Sequence, residues 1–287
     1  MKLGLSSYSL YRDIQNGVLP ILDVPRWIAA HGGEHLEIVP LGFSLVDNPG
    51  LTDDLLNAAD KAGIAISNYA VGANFAIDDE ADYRRAIEET KVHVDVANRL
   101  GVKLMRHDVA SRPTAEATIQ RFEADLPRLV EACREVADYA AQYGITTSVE
   151  NHGYYIQASD RVQRLVSAVD RPNFRTTLDV GNFMCVDENP LIAVRKNLPI
   201  ASMVHLKDFY LRPASAAFTE GWFRSAGGNY LRGAIAGHGD IPLQTILAEI
   251  KASGYDGYIS LEFEGMEDCQ LGSRIGLQQV RHLWEAI

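Results

Sequence analysis

The sequence predicts an α/β protein folded as one closed (β/α)8 barrel. Short runs rich in β-branched and apolar residues alternate with longer amphipathic segments, and eight strand-then-helix units can be counted along the chain. Strict alternation indicates a parallel sheet, and eight units indicate closure into a barrel. A doubly wound open sheet is the alternative, but no Gly-x-Gly-x-x-Gly turn for a dinucleotide follows the first predicted strand.

Turn and capping residues set the bounds of these units. Strands are predicted at 3–9, 35–39, 64–70 and 102–108, and at the start of the stretches 145–152, 174–182, 201–208 and 258–265. Helices are predicted from Asp23 to His31, 52–63, 78–100, 114–143 with an interruption near Pro127, 159–170, from Pro190, 242–253, and finally to Trp284. The irregular connection 209–241 is expected to lie over the C-terminal face of the barrel, as a lid or a partner contact.

Composition narrows the class of protein. With 287 residues, 47% of them hydrophobic, the chain matches a single barrel domain over residues 1–287. A formal net charge of −11 without a basic run argues against nucleic acid and anionic membranes as partners. Three widely spaced cysteines predict neither a disulfide framework nor a zinc site, and no secretory signal or membrane-spanning run is evident. We therefore expect a cytoplasmic protein.

Polar residues gather at the ends of four predicted strands. Glu150 stands at the end of the strand predicted within 145–152, and Asp179 stands at the end of the strand predicted within 174–182. His205 and Glu262 hold the same place in the last two strands. Because parallel strands of a barrel all open on one face, these four side chains are predicted to converge there. Three carboxylates and one imidazole suit a divalent cation.

These stretches resemble a known family. Val-Glu-Asn-His-Gly at 149–153, Leu-Asp-Val-Gly-Asn at 178–182, His-Leu-Lys-Asp at 205–208 and the run 254–265 are similar to the sugar phosphate isomerase/epimerase family. These are xylose isomerase-like TIM barrels that include ketose 3-epimerases, inosose dehydratases and, more distantly, apurinic-site endonucleases. The resemblance covers nearly the whole chain. It implies that Glu150, Asp179, His205 and Glu262 are the metal ligands, and that Glu150 and Glu262 are also the catalytic pair.

Two positions depart from the ketose 3-epimerase pattern. Asn182 stands where those enzymes usually carry a histidine, and Ile156 stands where they usually carry an acidic residue. The stretch 232–240 resembles members thought to act on keto-sugars or glycosides. The resemblance therefore implies the metal site more specifically than the substrate, and Asn182 is expected to contact that substrate.

The positions of several other polar residues make them candidates for catalysis or substrate binding. His152 lies two residues beyond Glu150, so it is expected on the same side as a general acid or base, or as a loop hydrogen-bonding residue. Lys207 has the same relation to His205; it would bind an oxyanion or hydroxyl, or form an ion pair with Asp208 or Glu264. Substrate contacts are expected from Glu37, His107, Arg232 and His238.

The hypothesis is a divalent-metal-dependent isomerase or epimerase acting on a sugar or keto-sugar. It would abstract a proton next to a carbonyl through a metal-stabilised enediolate. One ion is expected, Mn²⁺ first, with Mg²⁺, Co²⁺ and Zn²⁺ as alternatives. Competing hypotheses are a lyase or dehydratase acting on a 3-keto-glycoside or inosose, a metal-dependent phosphodiesterase, and a sugar-binding barrel without catalysis. The long loop is also compatible with a homodimer or homotetramer.

Overall fold

Eight parallel strands close into one barrel in the computed structural model, which describes residues 1–287. In chain order the strands of the molecule are β1 Lys2–Ser6, β2 His35–Ile38, β3 Ala65–Val71, β4 Leu104–His107, β5 Thr146–Glu150, β6 Phe174–Asp179, β7 Ala201–Leu206, β8 Asp208–Arg212, β9 Phe223–Arg224, β10 Tyr230–Ala234 and β11 Tyr258–Leu261. The barrel runs in the order β1-β11-β7-β6-β5-β4-β3-β2. The predicted fold class is confirmed.

Helices follow the strands and cover the outside of the barrel. They are α1 Tyr11–Gln15, α2 Val24–Ala30, α3 Pro49–Ala62, α4 Glu80–Arg99, α5 Ile119–Ala141, α6 Ser159–Val169, α7 Pro190–Asn197, α8 Leu243–Ala252 and α9 Cys269–Glu285. Asn48, Asp79 and Asp268 cap α3, α4 and α9 through side-chain oxygens that accept from the first turn. None of the helices combines the length and apolar character that crossing a bilayer requires.

The interruption predicted near Pro127 is wrong. Helix α5 continues through this proline. A proline inside a helix removes one hydrogen bond and strains the preceding turn. The apolar face of α5, which includes Phe122, Leu129 and Val136, is buried against the barrel and offsets that cost.

The sequence predicts an irregular connection at 209–241, but part of this segment forms regular strands. Strands β8, β10 and β9 form a small antiparallel sheet that follows the C-terminal end of β7, with Tyr230 paired to Arg212 and Ala234 paired to Asp208. Asp208 anchors the return of this segment, because its carboxylate accepts from the backbone N–H groups of Phe209, Gly237, Gly239 and Ile241 at 2.9, 2.9, 2.9 and 3.3 Å. Asp208 therefore fixes this segment rather than pairing with Lys207.

The bottom of the barrel is closed by His35 at the start of β2. Its Nε2 contacts the carbonyl oxygens of Lys2 and Ile259 at 3.2 and 3.1 Å, so the ring connects the first residues of three neighbouring strands, β2, β1 and β11. A Cβ at Gly4 would overlap both the carbonyl and the ring of His35. Glycine is required there because the imidazole occupies the space of a side chain. The polar strand ends lie at the opposite end of the barrel.

Candidate functional site

Four polar side chains meet at the C-terminal ends of neighbouring barrel strands. One ligand atom from each of Glu150, Asp179, His205 and Glu262 lies within 4.8 Å of the other three, and all four residues are buried. Asp179 and His205 are directly paired in register, and the Glu262 N–H donates to the carbonyl of Leu206 at 3.0 Å. The sheet itself thus brings together residues that are far apart in the sequence.

The chemistry of this cluster fits a divalent cation. His205 Nδ1 and Asp179 Oδ2 are buried without a hydrogen-bond partner. Nδ1 lies 3.5 Å from Glu150 and 3.4 Å from Glu262. Donors on opposite sides of a small divalent ion are about 4.2 Å apart, so shifts of a few tenths of an ångström would bring the set to coordination distance. Buried polar atoms of this kind need a partner.

Backbone groups hold the Asp179 carboxylate in place. Its Oδ1 accepts from the N–H groups of Gly181 and Asn182 at 2.7 and 2.8 Å, which leaves Oδ2 facing the cluster. Asn151 bonds both the N–H and the carbonyl of Asp179, at 2.9 and 2.8 Å. A Cβ at Gly181 would lie 2.9 Å from the Lys207 carbonyl oxygen, so the glycine lets β6 and β7 approach closely.

Two cations balance part of the negative charge. Arg106 Nη2 lies 2.6 Å from Glu150 and 2.8 Å from Asp108. Lys207 Nζ lies 3.3 Å from Asp179, 3.1 Å from Glu262 and 3.5 Å from Glu264. Of the two ion pairs predicted for Lys207, the structure shows the one with Glu264.

Burial and these charges shift the pKa values in different directions. Burial acts to raise the pKa of the Glu150 carboxyl, but Arg106 and His205 together hold that pKa well below its ordinary range. Burial raises the pKa of Asp179 to about 6; Lys207 opposes this, while Glu150 and Glu262 add to it. Removing one negative charge or adding a positive one would reduce the repulsion between the buried carboxylates and lower the pKa of Asp179.

A cavity of about 430 Å³ opens above the cluster, within the size range of small-molecule sites. Its polar side carries Arg106, Asp108, Glu150, His152, Asn182, His205, Lys207, Glu262 and Glu264. Its apolar side is formed by the ends of β2 and β3, with Val39, Pro40, Leu41, Ala70 and Val71, and by Phe223 from β9. His152 is half exposed, and its Nδ1 lies 3.5 Å from Asp108. The cavity can hold a polyhydroxylated molecule against the carboxylates.

Most of the catalytic and ligand candidates lie together, with Asp179 just beneath the cavity surface. Asn182 donates from Nδ2 to Glu150 at 3.1 Å and its Oδ1 lies 3.4 Å from Lys207 Nζ. The roles predicted for these residues stay predictions, since the structure gives their positions only.

Four of the expected substrate contacts lie elsewhere. Glu37 is fully buried behind His205, and His107 is fully buried between Phe75 and Phe174. Arg232 stacks on Tyr210 and Trp222 in the small sheet, and His238 is exposed in its turn. None of these four lines the cavity.

Sequence reasoning missed Tyr8, Arg106 and Asp108 as cavity residues. The Tyr8 hydroxyl lies 3.3 Å from Glu264, and Arg106 joins Glu150 to Asp108. The signal for Arg106 and Asp108 was present, because both stand at the end of a predicted strand, as the four ligand candidates do. Tyr8 lies in a 3₁₀ turn, whereas the sequence pattern predicts that it belongs to the first strand.

Comparison with known proteins gives relatives with several activities. The chain is 24% identical over 208 residues to an inosose isomerase of Halalkalibacterium halodurans, covering 71% of this chain and 68% of that protein. It is 23% identical over 145 residues to an inosose dehydratase of Geobacillus thermodenitrificans, covering 50% of this chain and 48% of that protein. The match thus spans about half the length of this relative. The crystal structure of a 3-keto-D-glucoside 4-epimerase from E. coli superposes with a TM-score of 0.74 at 17% identity, covering 98% and 99% of the two chains. At this identity the superposition shows the fold alone.

The family itself follows from a match that spans most of the chain. The model of the family described as xylose isomerase-like TIM barrel matches residues 25–283, which include all four clustered side chains. This match confirms the resemblance inferred from the motifs at the strand ends. The chain belongs to the xylose isomerase-like TIM barrel family.

Proposed function

We propose that the protein is a divalent-metal-dependent enzyme that isomerises or epimerises a sugar or keto-sugar by moving a proton at a carbon next to a carbonyl. The observation that carries the proposal is the buried cluster of Glu150, Asp179, His205 and Glu262 at the base of an open cavity. Two of its atoms, His205 Nδ1 and Asp179 Oδ2, are buried without a hydrogen bond.

The donor set supports one ion held by three carboxylates and one imidazole. Carboxylate oxygens favour Mg²⁺ and Mn²⁺ while imidazole favours later transition metals, so Mn²⁺ is the ion that we expect to bind best among those that suit both. When bound, such an ion acts as a Lewis acid that neutralises charge developing on the substrate oxygens.

The residues of the chain supply the proton transfer. Glu150 on β5 and Glu262 after β11 stand on opposite sides of the cluster, because β6 and β7 separate their strands in the barrel. A substrate between them would present one face to each carboxylate. One carboxylate can then take the proton from the carbon, while the other, already protonated by solvent, gives its own proton to the opposite face, which inverts the carbon and exchanges the protonation states of the two groups. Lys207 can donate a hydrogen bond to a substrate hydroxyl from the floor of the cavity.

A second candidate function follows from the position of His152. This half-exposed imidazole lines the cavity 3.5 Å from Asp108 and is not one of the four clustered residues. A protonated imidazole there could give its proton to a leaving oxygen after the carbon proton has been removed. The outcome would be loss of water or of an aglycone from an inosose or a 3-keto-glycoside. Relatives named as an isomerase and as a dehydratase are consistent with both outcomes.

The test is deuterium exchange by Mn²⁺-loaded protein with a panel of ketoses, inososes and 3-keto-glucosides, followed by NMR and mass spectrometry. Deuterium in a recovered or epimerised sugar of otherwise unchanged mass supports the epimerase or isomerase. Release of water or aglycone selects the lyase. Sugar binding without exchange would make the barrel a binding protein.

Matched variants separate the chemistry from contamination. Glu150→Gln and Glu262→Gln keep the shape of the side chains but replace a carboxylate by a non-basic amide, so each should lose turnover while the far-UV circular dichroism stays unchanged. Wild-type exchange in both variants would reject the mechanism. Glu123→Gln, on the exposed face of α5, serves as the control that should exchange normally.

A further inference from the structure

Glu37 is a carboxylate without access to solvent, at 0% exposure inside the barrel. Its two oxygens lie 3.0 and 2.9 Å from Nε2 of His205. The Asn68 amide donates to Glu37 Oε1 at 2.7 Å and fixes the carboxylate from the other side. Burying a carboxylate is costly unless it is paired, and His205 is the ionisable partner that the structure gives it.

The layer of the barrel around Glu37 is polar. Register pairs place Ser6 and Asn68 beside Glu37 on the adjoining strands, and Ser260 beside His205. Bulky branched apolar side chains usually fill such layers. A buried polar layer directly beneath the clustered ligands is therefore maintained against the usual preference. Within it, the hydrogen bonds from Asn68 to Glu37 and between Glu37 and His205 end on the imidazole.

The contact fixes which nitrogen of His205 faces the cluster. With Nε2–H donating to Glu37, the other nitrogen, Nδ1, is the one directed at Glu150 and Glu262. Histidine ligands of metals commonly donate their second N–H to a carboxylate, which sets the tautomer and the ring orientation.

We propose that Glu37 is a positioning residue that holds His205 with Nδ1 toward the cation site. It acts through His205 and does not touch the substrate, which replaces the sugar contact expected for it from the sequence. The inference rests on the metal site of the proposed function, and it adds a specific requirement to that site.

Two substitutions separate charge from geometry. In Glu37→Gln the amide oxygen can occupy the position of Oε1 and still accept from both His205 and Asn68. The amide NH2 then replaces Oε2 at 2.9 Å from His205 Nε2, so the ring keeps one acceptor but the contact is uncharged and weaker. In Glu37→Ala the acceptor is gone and the imidazole is free to rotate. Ser260→Ala is the matched control, because Ser260 is equally buried beside His205 but makes no hydrogen bond through its hydroxyl.

The experiment is isothermal titration of the full chain with Mn²⁺, combined with histidine-selective ¹⁵N NMR of the Zn²⁺-loaded protein. We expect the dissociation constant to rise about 10-fold in Glu37→Gln and about 100-fold in Glu37→Ala, and to change less than about 2-fold in Ser260→Ala. The NMR spectrum should show Nδ1 coordinated and Nε2 protonated in the wild type. That signature should be kept in the Gln variant and lost in the Ala variant, an effect that a purely structural role would not produce.

The outcomes distinguish this inference from the proposed function. Wild-type Mn²⁺ affinity in Glu37→Gln and in any folded Glu37→Ala protein, with Nδ1 still coordinated, overturns the role of Glu37 and leaves the metal site standing. If Glu37→Ala does not fold, wild-type affinity in the Gln variant is sufficient to overturn it. Failure of the wild type to bind Mn²⁺ overturns the metal site and this inference together.

Discussion

The Arg106 guanidinium lies 2.6 Å from the Glu150 carboxylate, and both side chains are buried at the ends of adjacent strands. The same Nη2 lies 2.8 Å from Asp108, so two carboxylates share one guanidinium. Glu150 is thus shared between a fixed protein cation and the cluster expected to hold a metal ion. Arg106 limits the negative charge that the cluster would otherwise bear.

Replacing Arg106 should destabilise the fold because it leaves buried carboxylates unpaired. We expect Arg106→Met to lower the free energy of unfolding by about 3–5 kcal/mol. Adding Glu150→Gln should restore part of that loss, because the second substitution removes one unpaired charge. Urea unfolding of the two single variants and the double variant measures the coupling. Strictly additive losses would show that the 2.6 Å contact contributes no coupling energy.

Metal removal should be visible as a loss of thermal stability. An ion that binds only the folded state stabilises it by about 2.7 kcal/mol at 100 times its dissociation constant. For a chain of this size that corresponds to a melting temperature roughly 5 °C higher than in the presence of EDTA. Asp179→Asn should abolish the increase because it removes one oxygen ligand. Glu264→Gln should keep it, since Glu264 lies outside the four clustered ligands. An equal increase in Asp179→Asn would argue against binding at this cluster.

Arg106, His107 and Glu37 show which properties of a barrel side chain are predictable from the sequence. Alternation along a strand predicts that neighbours point to opposite faces, and Arg106 indeed faces the cavity while His107 packs outward against Phe75. Alternation does not give depth along the barrel axis. Glu37 points inward but one layer below the cavity, behind His205, so its contact with a ligand candidate could not be read from spacing.

The same limit applies to the segment 209–241. Its aromatic and arginine content indicated a surface with a role, but not its pairing as β8, β10 and β9. Arg232 and His238 therefore fell outside the cavity, while Phe223 from β9 reached it. The barrel strands were predictable because each repeats one local pattern. Long-range antiparallel pairing depends on contacts that no short stretch encodes.

His152 should matter for rate and not for metal binding. His152→Ala is expected to lower kcat by about 10²–10⁴-fold if the imidazole transfers a proton in the reaction. Its manganese content should match that of the wild type, because the imidazole lies outside the clustered ligands. Turnover assays and elemental analysis of the same preparations make the comparison. Loss of manganese would make His152 a ligand, and unchanged kcat would leave it a loop residue.

Asp108 offers a companion variant for the same imidazole. Asp108→Asn keeps the size of the side chain but removes the charge 3.5 Å from His152 and 2.8 Å from Arg106. We expect kcat to fall less than in His152→Ala, by about 10-fold, because the imidazole remains but is less well oriented. Applied together, the two substitutions should be no worse than His152→Ala alone. A multiplicative loss would place Asp108 in a separate step.

The closed end of the barrel gives a prediction on pH that does not depend on the metal. Burial lowers the pKa of His35 from 6.5 to about 4, although its contacts with the Ile259 and Lys2 carbonyls and the charge of Glu37 act to raise it. Between about pH 6.5 and pH 4, His35 is therefore protonated in the unfolded chain but neutral in the folded chain. Stability contributed by the neutral ring is complete above about pH 6.5, falls as the pH is lowered, and stops falling below about pH 4, where both states are protonated.

Between pH 7 and pH 5 this single group should remove about 2 kcal/mol from the free energy of unfolding. His107 is buried with a pKa lowered to about 4 as well, so the wild-type pH dependence alone cannot be assigned to His35. His35→Gln separates the contribution of His35 from that of His107, because the glutamine amide can still donate to the Lys2 and Ile259 carbonyls but does not titrate. The stability difference between wild type and variant, measured by urea unfolding, should shrink by about 2 kcal/mol from pH 7 to pH 5. A difference that stays constant over this range would mean that the His35 ring takes up its proton in the folded barrel as readily as in the unfolded chain.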